Sequence, residues 1–213
     1  MTEPGTPGLR ERKKQATRDT IMRVAIELFA ARGYDETSVE MIAAKAEVSA
    51  PTFFRYFGSK DEVLYANAQL RLSLLEPAVL DQPANEPNLV AGWNAVIRTL
   101  LHDVDTDNVR LAVKAARSHP VLVGKRHSNS LQWETAIAQA LARRTGNVPT
   151  GEDHHLTAAI IMTLVRVATD QWADTPHGDF RAMLNATFAT YIDTTKHATS
   201  SFAGEDRPVG GRS

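Results

Sequence analysis

The sequence predicts an all-α protein of about nine helices. Three observations carry this. Apolar residues recur at helical spacing along most of the chain, the breaks between such runs hold helix caps, prolines and glycines, and no run of strand periodicity competes. The 213 residues suffice for one large domain or two small ones with a buried core.

The elements read in order. Residues 1–8, rich in Pro, Gly and Thr, read as a disordered arm, and residues 198–213 as a disordered tail. Ile21, Val24, Ala25, Leu28 and Phe29 fall at i, i+3, i+4, i+7 and i+8, one apolar helix face, and Gly33 reads as its C-cap. Thr37-Ser38-Val39-Glu40 has the capping-box pattern and opens a second helix, whose inward positions are Val39, Ile42, Ala43 and Ala46. Glu47-Val48-Ser49 is a tight turn. Ser49 caps a third helix over about 50–56, with Pro51 in the first turn, where amide donors lack partners anyway. Ser59-Lys60-Asp61-Glu62 repeats the capping-box pattern and opens a fourth helix to about Glu76. The polar loop 81–88, with Pro83 and Pro87, is the best internal break. Five helices follow, at about 89–104, 107–118, 120–145, 152–173 and 179–197.

Composition narrows the function classes. The net charge of −1 argues against a basic coat over the whole surface, but the charge is uneven. Residues 9–18 hold five basic side chains against one acid, which reads either as a phosphate-contacting arm or as a solvated helix start. The absence of cysteine excludes disulfides, thiolate metal sites and cysteine nucleophiles, and fits a reducing cytoplasm. The N-terminus lacks the apolar core of a signal peptide. The longest apolar run, 156–165, falls well short of the roughly 20 residues a membrane span needs, so no membrane partner is expected. No catalytic triad context, Gly-rich phosphate loop or metal signature is present, so no enzyme, cofactor or metal site is expected; His154 and His155, adjacent, point to different faces.

Residues 39–56 form a short helix, a turn and a second short helix. In such a unit the second helix lies in the DNA major groove with its N-terminal residues at base edges. Phe53 and Phe57 face inward with Ile42 and Val48, leaving Ala50, Pro51, Phe54 and Arg55 outward. Arg55 suits guanine or a phosphate, and Thr52, Tyr56 and Lys60 can donate to phosphates, Tyr56 being read as half core.

Phe29-Ala-Ala-Arg-Gly-Tyr34, Thr37-Ser-Val-Glu-Met-Ile-Ala43 and Val48-Ser-Ala-Pro-Thr-Phe-Phe-Arg-Tyr-Phe-Gly-Ser-Lys60 together resemble the tetracycline-repressor (TetR) family of regulators, over about residues 14–65. The resemblance implies phosphate contacts from Ser38, Thr52, Tyr56 and Lys60. It implies groove or base-edge contacts from Glu40, Ala50, Pro51, Phe54 and Arg55, with capping as the preferred reading of Glu40. Two positions depart from the family pattern: Glu47 where glycine is usual in the turn, and Phe54 where tyrosine is usual. The implied architecture is a helix-turn-helix domain at 9–58 and a helical ligand-binding and dimerisation domain at 59–197. Repression is the family default.

The resemblance further implies a homodimer through the helices at about 152–173 and 179–197, against an ordinary monomer core as the plain reading of their mixed small and large apolar residues. Two helix-turn-helix units about 34 Å apart suit a palindromic site. Trp93, Arg117, His119, Trp133, Arg166 and Thr169 are candidates to line an effector site, with Gln132 beside them; Arg166 has the competing reading of an ion pair with Asp170. The C-terminal region loosely resembles actinobacterial mycofactocin-type regulators, some of which sense acyl-CoA thioesters, so an acyl-CoA or another hydrophobic compound is the implied effector. The alternative function is an all-α ligand-binding protein that has lost sequence-specific DNA binding, for which Glu47 is the hint.

Overall fold

The computed structural model describes residues 8–66, 68–102, 104–146 and 150–203, with side chains to His197. Its helices are α1 (Leu9–Arg32), α2 (Val39–Lys45), α3 (Ala50–Tyr56), α4 (Ala68–Leu80), α5 (Asn88–Leu100), α6 (Thr106–Ser118), α7 (Pro120–Thr145), α8 (Glu152–Asp174) and α9 (Phe180–Ala203). A 3-10 turn, Asp61–Tyr65, sits between α3 and α4. Among the described residues there is no strand. The chain divides into two compact units, Met1–Met162 and Thr163–Ser213.

The first three helices form around the expected apolar face of α1. Ile21, Val24, Ala25, Leu28 and Phe29 are buried with Ile42, Ala43, Phe53 and Phe57, and Ala115 of α6 joins this core. Burying Phe53 completely contributes roughly 1.5–3 kcal/mol. Gly33 ends α1 at φ 87, and its N–H donates to Phe29 O at 3.0 Å. Only glycine takes that backbone freely.

The caps fall partly where expected. Ser49 accepts the Thr52 N–H at 3.2 Å and starts α3, with Pro51 in the first turn. The cap of α2 is Ser38, which accepts the Met41 N–H, and not Thr37. Thr37 is fully buried and its hydroxyl donates back to Gly33 O at 2.8 Å, so it closes the preceding turn.

The fourth helix differs more. Glu62 reaches the Gly58 N–H at 2.8 Å, one residue short of a capping box, and Asp61 turns inward. The segment closes as the 3-10 turn, and α4 starts afresh at Ala68, continuing through Pro77 to Leu80.

In the body of the first unit α4 packs against α7 and α5, and α6 packs against α1 and α7. Gly92 lets α5 approach α8: a Cβ there would stand 2.7 Å from Ile161 Cδ1. His154, almost wholly buried, ties the start of α8 to the end of α7 through Thr145 Oγ1 at 3.1 Å. In the second unit Trp172 stacks on Phe180 at 4.3 Å and donates its indole N–H to Gly178 O at 2.8 Å. This closes the turn between α8 and α9. The helix read as ending at 197 runs to Ala203, because neither Gly nor Pro interrupts it before Gly204. Residues 1–7 and 204–213, read as disordered, lie outside the described residues.

Glu47 stands in the left-handed region at φ 56, in the turn that joins α2 to α3. An L-residue with a Cβ is strained there by about 1 kcal/mol. Glu47→Gly should therefore raise stability by about 1 kcal/mol, read as a higher Tm. An unchanged or lower Tm would show that the turn carries no strain.

Candidate nucleic-acid interface

The outer face of α3 is built by what its inner face buries. Phe53 and Phe57 enter the core with ring centroids 5.6 Å apart. The helix then has to present Pro51, Phe54 and Arg55 outward, and all three are exposed. Phe54 is 54% exposed, with its edge on Phe53. Arg55 lies along the Tyr56 ring, its guanidinium carbon 5.3 Å from the centroid, so the aromatic face directs it outward. Ala50, Thr52 and Tyr56 are half-buried, and Thr52 Oγ1 is 2.9 Å from Ser49 Oγ.

At the start of α2, Ser38 is half-buried and spent on capping. Glu40 is exposed, and its carboxyl is held below the usual range by its own N–H and by Ser38. With Ser38 as the cap, Glu40 stands one position short of the capping-box place, and the Thr37 N–H donates to Tyr34 O instead. Glu27 of α1 braces α2 through Lys45 at 2.9 Å and pairs with Arg23 of its own helix at 2.6 Å, and hydrogen bonding from Lys45 lowers its pKa most. The basic residues of 9–18 form the first turns of α1.

Lys60, expected at a phosphate, also has partners within the chain. Its ammonium donates to Tyr34 O at 2.7 Å and Thr37 O at 2.8 Å, and sits 4.0 Å from the Tyr34 ring centroid. It closes the α1–α2 connection onto the segment after α3. Around it runs a joint to the body of the unit. Asp61 pairs with Lys125 of α7 at 3.2 Å, and Tyr34 packs on His119 at 4.8 Å between centroids. Burial raises the Asp61 pKa, but hydrogen bonds from Ser59 and Lys125 outweigh it and leave the carboxyl below its usual value. His119 Nδ1 accepts the Val121 N–H, which leaves Nε2 to face Asp35 at 3.2 Å.

The residues expected around an effector do not converge within the first unit. A cavity of about 680 Å³ lies beside α1, and of Trp93, Arg117, His119 and Trp133 only Trp133 lines it. Trp93 is buried core in α5, Arg117 is half-buried on α6, and His119 caps α7. Gln132 instead bonds Gln69 at 3.1 Å. In the second unit Arg166 is exposed and the Thr169 hydroxyl donates to Val165 O of its own helix. Sequence reasoning missed the α1 wall of the cavity. The available signal was Met22 and Ile26, an apolar i, i+4 pair beside the main stripe of α1. No local signal marks Lys125 as the partner of Asp61.

Comparisons with known proteins bear on this geometry. The model for bacterial regulatory proteins of the tetR family matches residues 21–66, and that for the MftR C-terminal domain matches residues 86–195. The HTH-type transcriptional regulator TcmR of Streptomyces glaucescens is 32% identical over 206 residues, covering 91% of this chain and 88% of that protein. The putative mycofactocin biosynthesis transcriptional regulator MftR of Mycobacterium tuberculosis is 27% identical, covering 76% of this chain and 82% of its own. SmeT of Stenotrophomonas maltophilia, in its triclosan complex, shares the fold at a TM-score of 0.59 and 21% identity, over 83% of this chain and 91% of that one. A putative TetR-family regulator from Syntrophomonas wolfei does so at 0.60 and 14% identity, over 92% of this chain and 100% of that one.

The Lys60 clamp has a direct consequence. Lys60→Ala leaves the Tyr34 and Thr37 carbonyls without this donor and should cost about 1–3 kcal/mol in urea denaturation. A cost below about 0.5 kcal/mol, as for an ordinary surface lysine, would contradict the clamp.

Proposed function

We propose that this chain, which belongs to the tetR family of bacterial regulatory proteins, is a repressor that binds a palindromic operator as a homodimer and is released by a small, largely apolar effector. As a member of the family it is a transcriptional regulator with a DNA-binding helix-turn-helix and a ligand-binding domain. The observation that carries the proposal is the outer face of α3. A phenylalanine 54% exposed beside an arginine held outward by a ring gains nothing in a free monomer, and suits apolar contact with thymine methyl groups and charge-assisted bonds to guanine or phosphate.

The proposed contact set is Pro51, Phe54 and Arg55 from the exposed face, with Ala50, Thr52 and Tyr56 at its edges. At the start of α2, Ser38 is proposed at a phosphate and Glu40 at the groove edge. Lys60 supports the surface from behind. Dimerisation is assigned to α8 and α9. In support, Met183, Thr187, Phe188, Tyr191 and Ile192 are half-buried at i, i+4, i+5, i+8 and i+9 along α9, a partly covered stripe that a second copy would complete. Among the described residues no helix is long and apolar enough to cross a membrane. The protein works in the cytoplasm, where its DNA is, and has no catalytic role.

Fluorescence anisotropy with the DNA flanking its own gene, over a salt series, tests the reading. Affinity should fall steeply with salt and prefer a short palindrome. Arg55→Ala should weaken binding and blur preference at particular base pairs, by about 1–3 kcal/mol. No sequence preference at low salt would overturn the proposal.

A further inference from the structure

The face that α1 turns toward α2 and α3 does not stop where the core stops. Ile21, Val24, Ala25 and Leu28 lie on it at helical spacing and are buried. Counted back from Ile21 by the same spacing, the next positions are Thr17, Lys14, Lys13 and Arg10. One face of one helix therefore changes from apolar to basic as it leaves the core. Residues 8–16 are all exposed, and Arg10 stands roughly 12 Å beyond Arg18 along the helix. The opposite face is different: Arg12 falls there with Gln15 and Asp19, which bond each other and border the cavity.

Arg18 fixes where the basic stripe emerges. Its guanidinium donates to Ala66 O, and the guanidinium carbon lies 5.6 Å from the ring centroid of Phe57, the C-cap of α3. The basic turns thus leave the three-helix core beside the end of α3, whose outer face carries the exposed Arg55.

The start of α1 is poorly made for a free helix. Side chains of Ser38, Ser49 and Asp105 cap α2, α3 and α6, whereas no side chain caps α1 at Gly8. Cations near a helix N-terminus oppose the macrodipole, and Glu11 is the one acid in the first turn. Lys14 pairs with Glu11 at 3.6 Å, but with side chains 61% and 64% exposed that pair is worth little. Packing does not compensate, because residues 8–16 reach no core. A row of anions along the stripe would supply the missing countercharge from outside.

Duplex DNA presents such a row, with one phosphate charge per about 1.7 Å of its axis. We propose that Arg10, Lys13 and Lys14 form a second DNA contact, which grips the phosphate backbone of the duplex that α3 enters and adds affinity without sequence preference. The side chains make this contact, not the helix amides. It rests on the reading of the chain as a DNA-binding regulator, and extends that reading to a surface outside the helix-turn-helix.

Fluorescence anisotropy on the full chain, with the DNA flanking its own gene and with a scrambled duplex, tests this over a salt series. Replacing Arg10, Lys13 and Lys14 together by alanine should flatten the slope of log affinity against log salt by at least about 2. Both duplexes should weaken by the same factor, at least about tenfold at low salt, because phosphates carry no sequence. The Tm should stay at the wild-type value, since these side chains touch no core. Lys13→Ala alone should cost at least about threefold, and Arg12→Ala, which removes an equal charge from the opposite face, less than about 1.5-fold. Hydrogen exchange at the amides of residues 9–16 should slow on adding DNA. An unchanged salt slope in the triple variant overturns the contact, and so does equal loss from Arg12→Ala and Lys13→Ala. A loss confined to the promoter duplex also overturns it. Should the triple variant lose stability, the two single substitutions decide. A palindrome preference with an unchanged slope removes this contact and leaves the regulator. A flattened slope with no sequence preference in the wild type removes the regulator and leaves this contact.

Discussion

The ammonium of Lys60 fixes the geometry on which the recognition surface depends. The helices α2 and α3 have seven residues each, too short to persist alone in water. Packing of Ile42 and Phe53 against α1 holds them. Lys60 adds a polar tie by donating to the carbonyls of Tyr34 and Thr37 from beyond the C-terminus of α3. The turn before α2 and the turn after α3 are thereby fastened at one point. Burial of Phe53 and Phe57 turns Phe54 and Arg55 outward, and the closure at Lys60 holds α3 in that seat.

The same neighbourhood carries the joint to the body of the first unit. Tyr34 serves Lys60 with its carbonyl and ring, and packs its ring on His119, which caps α7 and faces Asp35. Asp61, one residue after Lys60, holds Lys125 of α7. Ala115 of α6 completes the core of the three-helix unit. The three-helix unit is thus seated on α6 and α7 through polar pairs near the clamp and through apolar contact along α1. The cavity lies on another part of α1, so the helix that anchors the three-helix core is also one of the cavity's walls.

Much of this was legible in the sequence because it is local. The α1 face, Gly33 as its C-cap, Ser49 as the α3 cap and Pro51 behind it depend on residues within two turns of one another. The family membership was legible for the same reason, since its motif lies in one ungapped run. Local patterns also misled where two readings were one residue apart. Thr37 and Ser38 both suit an N-cap, and only burial decides that Thr37 faces inward. Ser59 and Glu62 have capping-box spacing, but Asp61 is drawn inward to Lys125, 64 positions away, and the helix gives way to a 3-10 turn. The intramolecular partners of Lys60 and His119, Tyr34 and Asp35, are brought to them only by the fold. The cavity was beyond local pattern altogether, since its walls come from five helices.

The central claim is that the outer face of α3 meets DNA. A photoreactive benzophenone side chain at position 54 tests it most directly, with the same group at Leu131 of α7 as a comparably exposed control, 48% against 54%. On irradiation of the complex with duplex DNA from its own promoter, the account predicts covalent adducts from position 54 and none from position 131. Adducts from position 131, with none from position 54 in a complex that still forms, would contradict it.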